Sequence, residues 1–145
     1  MQTLDVAHAS PAAYRAMRNL ETAVRDTGLA PGLLDLVRLR ASQLNGCAYC
    51  VDLHTSDARR AGETERRLYA VAVWREAPFF TARERAALAW TEALTRLSDH
   101  PDLERAADDL AAAFDDKEQV DLTLAIVAIN GWNRLAVGFG KRPAP

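Results

Sequence analysis

The stretch Asn45-Gly46-Cys47-Ala48-Tyr49-Cys50-Val51-Asp52-Leu53-His54 decides how the chain is read. An Asn-Gly pair can close a hairpin, but no β-branched run of period-2 alternation flanks this one. It reads instead as the end of one helix and the start of the next. On a helix beginning near Cys47, the side chains of Cys47, Cys50 and His54 fall within an arc of about 60°. Cβ atoms three residues apart on a helix lie about 5–6 Å from each other. Modest adjustment then permits a disulfide, and the pair can cycle between dithiol and disulfide without refolding.

The same spacing makes the site asymmetric. A thiol reacts as its thiolate, and the first turn of a helix favours negative charge by about 0.3–1 kcal/mol. His54 lies one turn beyond Cys50, and helical side chains tilt toward the N-terminus, so it can approach Cys50. From Cys47 it is about 10.5 Å away along the axis. Cys50 is therefore the expected activated thiolate and Cys47 the expected resolving thiol. The thioredoxin pattern would make the first cysteine the nucleophile, but it accompanies a βαβ unit, and the chain shows no strand signal. If the chain reverses at Asn45-Gly46 into an antiparallel helical hairpin, Asp35 and His54 differ in height by only about 3 Å. Asp35 could orient His54 or exchange a proton with it, directly or through water. The alternative is a solvated carboxylate in the early turns of its helix.

Other readings of the pair are weaker. A structural zinc site needs four ligands, and only three groups stand at local spacing; His8, His100 or Asp35 would have to complete it. Haem attachment needs His directly after the second cysteine, where Val51 stands. Two plain core cysteines are the bland alternative. His8 and His100 read as surface or turn residues, and Trp90 and Trp132 as core or interface anchors. Arg134, after an apolar run, is a candidate buried ion-pair member.

Outward from this stretch, helix signals dominate. Ser10-Pro11 opens a helix to about Thr27, stopped by Gly28. Pro31 starts a second, ending near Asn45-Gly46, and the third runs from about Cys47 to Gly62. A short helix spans about Thr64 to Val73, and Trp74 to Phe80 is a connection. Thr81 with Glu84 has capping-box spacing and opens a helix to about Leu97. Pro101 opens the next, to about Phe114. Asp115 with Glu118 opens the last, to about Gly138. The expectation is an all-α bundle of about seven helices, one domain over residues 1–145.

Composition sets the class. The chain has 145 residues, 49% hydrophobic and 26% charged, with a formal net charge of −2. No basic surplus points to nucleic acid or to an anionic membrane. Arg59-Arg60 and Arg66-Arg67 sit beside acids and read as solvated helix faces. The first 17 residues lack the apolar core of a signal peptide, and the longest apolar run, 124–129, is far short of the ~20 residues that span a bilayer. A cytoplasmic protein is expected, in which two cysteines are reactive or metal-binding more often than structural.

The chain resembles the alkylhydroperoxidase AhpD-like branch of the carboxymuconolactone decarboxylase superfamily. The likeness rests on Asp35 to Gly62, with its Arg-Ala-Ser-Gln-Leu-Asn-Gly-Cys-Ala-Tyr-Cys core and His54. It continues through Trp74-Arg75-Glu76-Ala77-Pro78, Arg83 to Leu88 and Asn130 to Arg134. The resemblance implies an AhpD-like helical fold, a homo-oligomer (trimer or hexamer), and a thiol peroxidase without haem or metal. It implies that Cys50 attacks a hydroperoxide, Cys47 resolves it, and His54 with an upstream acid, here Asp35, relays protons. A dithiol or thiol-protein reductant would close the cycle. Two residues depart from the pattern: Asp35 is one methylene shorter than the family's Glu, and Tyr49 stands between the cysteines. The alternatives are a non-enzymatic redox-sensing module and decarboxylase-type chemistry; decarboxylase members lack the Cys pair.

Overall fold

The computed structural model describes residues 3–145, in which eight α-helices and two 3₁₀ turns follow one another without a strand. The helices are α1 Val6–Ala9, α2 Pro11–Arg25, α3 Pro31–Leu44, α4 Ala48–Arg60, α5 Glu65–Ala70, α6 Ala82–Thr95, α7 Leu103–Ala113 and α8 Asp116–Gly138. The 3₁₀ turns are Val71–Val73 and Leu97–Asp99. Among the described residues no helix is long and apolar enough to cross a membrane.

The centre of the bundle is α3, which packs on α4, α6 and α8. Its sequence explains this. Leu33, Leu34, Leu36, Val37, Leu39 and Ala41 spread apolar side chains around most of the helix, and all six are buried. A helix apolar around most of its circumference is stable only when surrounded. Its two sides feed separate cores. Leu33, Leu34 and Val37 meet Val24, Ala87, Leu110, Leu122 and Ile126. Leu36 and Leu39 meet Ala58, Leu68, Val71, Trp74 and Leu88. Each fully buried Leu or Val contributes about 1.5–3 kcal/mol. A third, small cluster joins Cys47 and Cys50 to Ala136 of α8.

Helix termini follow their sequence signals with a few shifts. Both capping boxes form, Thr81 with Glu84 and Asp115 with Glu118. Pro11 and Pro31 each occupy a first helical position. The one-turn helix α1 is an addition to the seven expected, held by the Asp5 carboxylate accepting from the backbone of Ala7 and His8. Pro101 does not open a helix; the side chain of Asp102 caps α7, which begins at Leu103. Nor is Arg134 a buried ion-pair member. It is exposed and donates to the carbonyl and side-chain oxygens of Asn130. Arg67 is not merely solvated either, since it bridges Glu63 and Glu84 at 2.9 and 2.7 Å.

The reversal between α3 and α4 fixes the cysteines. Gly46 has φ of 64°, a conformation that costs glycine nothing and most residues 1–2 kcal/mol. Asn45 then ties the turn to the far end of the chain. Its side-chain amide donates to Asn130 Oδ1 at 3.0 Å and Asn133 Oδ1 at 2.9 Å. Asn133 donates onward to Ser42 Oγ, and Asn130 to Thr95 Oγ1 and the Ile126 carbonyl. Ser42 and Asn133 are buried and satisfied, so the network sets position rather than adding large net stability.

Candidate functional site

Cys47 stands immediately before α4 as its N-cap, and Cys50 in its first turn. A disulfide joins them across a Cα–Cα distance of 5.3 Å. Cys47 Sγ accepts the Cys50 backbone N–H at 3.3 Å, so the helix N-terminus acts most directly on the first sulfur. Access favours the second. Cys50 borders a cavity of about 780 Å³, and Cys47 does not. Charge stabilisation thus falls on Cys47, a property of a good leaving thiolate, while the open approach falls on Cys50.

His54 and Asp35 border the same cavity, as do Tyr49 and Leu53 of α4. All four residues singled out from the sequence therefore sit around one site, three on the cavity wall and Cys47 bonded behind it. His54 is neutral at physiological pH: burial, then the Arg38 charge, push its pKa down to about 4. Asp35 is shifted the other way. Burial raises its pKa, Arg38 partly opposes this, and Asp57 and Glu63 add to it. Asp35 contacts Arg38 at 3.6 Å, and among the described residues no hydrogen bond joins it to His54.

Sequence reasoning missed the far wall. Glu21 of α2 accepts from Arg38 at 2.6 Å and from Trp132 Nε1 at 3.2 Å. Tyr14 packs edge-on against Trp132, ring centroids 5.7 Å apart. Tyr14, Arg18, Glu21 and Arg25 all line the cavity. Their spacing of four, three and four puts them on one helical face, the only sequence signal they carried. His8 and His100 are exposed, and no group of three or more metal-ligating side chains is assembled among the described residues.

Residues 11–93 match the carboxymuconolactone decarboxylase family. The chain belongs to that family. Within it, this member superposes on a crystal structure from Agrobacterium tumefaciens over the full length of both chains, with 42% identity and a TM-score of 0.92. That protein is of unknown function and is described there as a candidate antioxidant defence protein AhpD. The family member is also 37% identical to the uncharacterized protein YdfG of Bacillus subtilis, over 93% of this chain and 92% of YdfG. The debrominase Bmp8 shares the fold, with a TM-score of 0.85 at 21% identity over 94% of this chain and 74% of Bmp8. The AhpD-like helical architecture expected from the sequence is thus that of the protein.

Proposed function

We propose that this family member is a thiol peroxidase that reduces organic hydroperoxides through a Cys47–Cys50 dithiol/disulfide cycle. The observation that carries the reading is that Cys50, already paired with Cys47, opens onto a cavity bordered by His54 and Asp35. The Cys50 thiolate attacks the terminal peroxide oxygen, the O–O bond breaks, and the leaving alkoxide takes a proton to become the alcohol. Cys50 is then a sulfenic acid. The Cys47 thiolate attacks its sulfur, the S–O bond breaks, the departing hydroxide takes a proton to become water, and the disulfide forms. An external dithiol returns two electrons and two protons. Neutral His54 is the group that takes the Cys50 proton, and Asp35, whose pKa burial raises, exchanges protons with it through a water or the substrate oxygen. The large cavity makes organic hydroperoxides, not only hydrogen peroxide, the fitting substrates.

The reading includes self-association. Val120, Leu124 and Val127 are exposed on one face of α8, a stripe suited to a second copy of the chain; light scattering of the purified protein gives the subunit number. The proposed activity is tested by reducing the protein, adding one equivalent of cumene hydroperoxide, and counting thiols and alcohol. Two thiols lost per alcohol formed is the expected result, and thiols that survive in the folded protein sink the reading. A redox-sensing module would form the disulfide but show no sustained turnover with a dithiol donor.

A further inference from the structure

The charges around the cavity are not evenly satisfied. Four carboxylates line it, and each has a partner. Asp5 accepts two backbone N–H groups of α1. Glu21 holds Arg38 and Trp132, Asp35 faces Arg38, and Asp57 pairs with Arg60 at 3.2 Å. The cations divide differently. Arg38 is engaged by two of these acids. Arg18, Arg25 and Lys141 also line the cavity, and among the described residues no carboxylate lies within ion-pair distance of any of them. Arg18 and Arg25 stand on the cavity-facing side of α2. Lys141 follows the end of α8, its ammonium 4.1 Å from the centroid of Tyr49, the neighbour of Cys50.

The volume points the same way. About 780 Å³ falls within the roughly 300–1,000 Å³ of pockets that enclose a drug-sized ligand, far above the ~30 Å³ of a water-sized peroxide. Leu53, Trp132, Leu135 and Phe139 supply apolar lining beside Cys50. An apolar body and an unpaired negative group would satisfy everything the cavity leaves open. Resting on the peroxidase reading, we propose that the substrate is an amphipathic organic hydroperoxide bearing a carboxylate, with its apolar body against Trp132 and Phe139 and its charge read by Arg18, Arg25 and Lys141.

The test compares a linoleic acid hydroperoxide with its methyl ester, both below their aggregation concentrations, as oxidants of the reduced protein at low salt. Exposed ion pairs are individually weak, so three together should favour the acid by about fivefold or more in the rate of thiol loss. The preference should shrink as salt is added and fall to about one in R18Q/R25Q/K141Q. Acid and ester consumed within twofold of each other would overturn the proposal while leaving the peroxidase reading intact. If neither oxidises the thiols, the peroxidase reading falls, and the hydroxy-acid product and its methyl ester decide the carboxylate claim by their binding to the disulfide form. Tighter binding of the acid, lost in the triple variant, supports it, and equal affinity overturns it.

Discussion

Arg38 and Arg40 stand two residues apart on α3, and each meets carboxylates in a largely buried setting, yet the two regions behave oppositely. On the Arg40 side, Glu92 is saturated. Arg40 Nε donates to it at 2.7 Å, Trp74 Nε1 at 2.9 Å, and Arg75 pairs with its second oxygen. Burial pushes the Glu92 carboxyl up, but the hydrogen bonds from Arg75, Trp74 and Arg40 outweigh it and hold the pKa below the usual value. Arg85 completes the region by holding the carbonyls of Trp74, Arg75 and Ala77. On the Arg38 side, one guanidinium is shared between Glu21 and a looser Asp35. Asp35 is pushed up and His54 down. A buried carboxylate with many donors becomes a rivet, while one with few keeps a raised pKa, the setting that the proposed proton exchange by Asp35 requires. Displaced pKa values beside a cavity are the pattern expected of chemistry.

Breaking the rivet should have the largest effect. Glu92→Ala leaves Arg40 buried without its partner and the Trp74 N–H unpaired, which costs about 3–5 kcal/mol. Thermal unfolding should shift down by roughly 10 °C, and a shift under about 3 °C would contradict the structural role.

The pH dependence separates the two regions next. His54 has a lowered folded pKa, so the unfolded chain binds its proton first as pH falls. Stability should therefore decline between about pH 6.5 and 4, by about 3 kcal/mol for this group. Glu92 contributes in the same direction but lower, its stabilisation being lost as pH falls below the ordinary carboxylate range. Urea titrations of the wild type and His54→Gln should show the higher-pH loss only in the wild type. A variant with an unchanged profile would show that His54 does not titrate as described.

Asn133→Ala removes one member of the network that ties Asn45 to α8. It removes two hydrogen bonds, while Asn45 keeps its bond to Asn130 and Ser42 its bond to the Arg38 carbonyl, so the expected cost is about 1–3 kcal/mol, measured by denaturant midpoint. Asp35→Asn should have the smallest effect on folding, within about 1 kcal/mol, because its charge is disfavoured by burial. The same change should slow peroxide-driven oxidation by about 10²-fold. Reduced stability with an unaffected rate would move Asp35 into the structural class with Glu92.

Much of this was legible in the sequence because it is local. Cys47, Cys50 and His54 lie within two turns of one helix, and both capping boxes span four residues, so period and spacing found them. The α3–α4 reversal was announced by Asn45-Gly46. What stayed hidden depends on distant pairs. Glu21 meets Trp132 across 111 positions, Asn45 meets Asn133 across 88, and Arg40 meets Glu92 across 52. No period reports such pairs. Nor could spacing show that Cys47 would cap α4 with its own sulfur while Cys50 faced the cavity. The one-turn α1 was missed because four residues carry no helical period, and Arg134 was misplaced because an apolar run does not say which side of a helix its neighbour occupies.

The proposed chemistry depends on which sulfur meets the peroxide. Reduced Cys47→Ser and Cys50→Ser variants should be treated with cumene hydroperoxide and dimedone, and the products located by mass spectrometry. A dimedone adduct is expected on Cys50 in the Cys47→Ser variant, with no peroxide consumption by Cys50→Ser. An adduct on Cys47 in the Cys50→Ser variant, with an unreactive Cys50 in its counterpart, would contradict it.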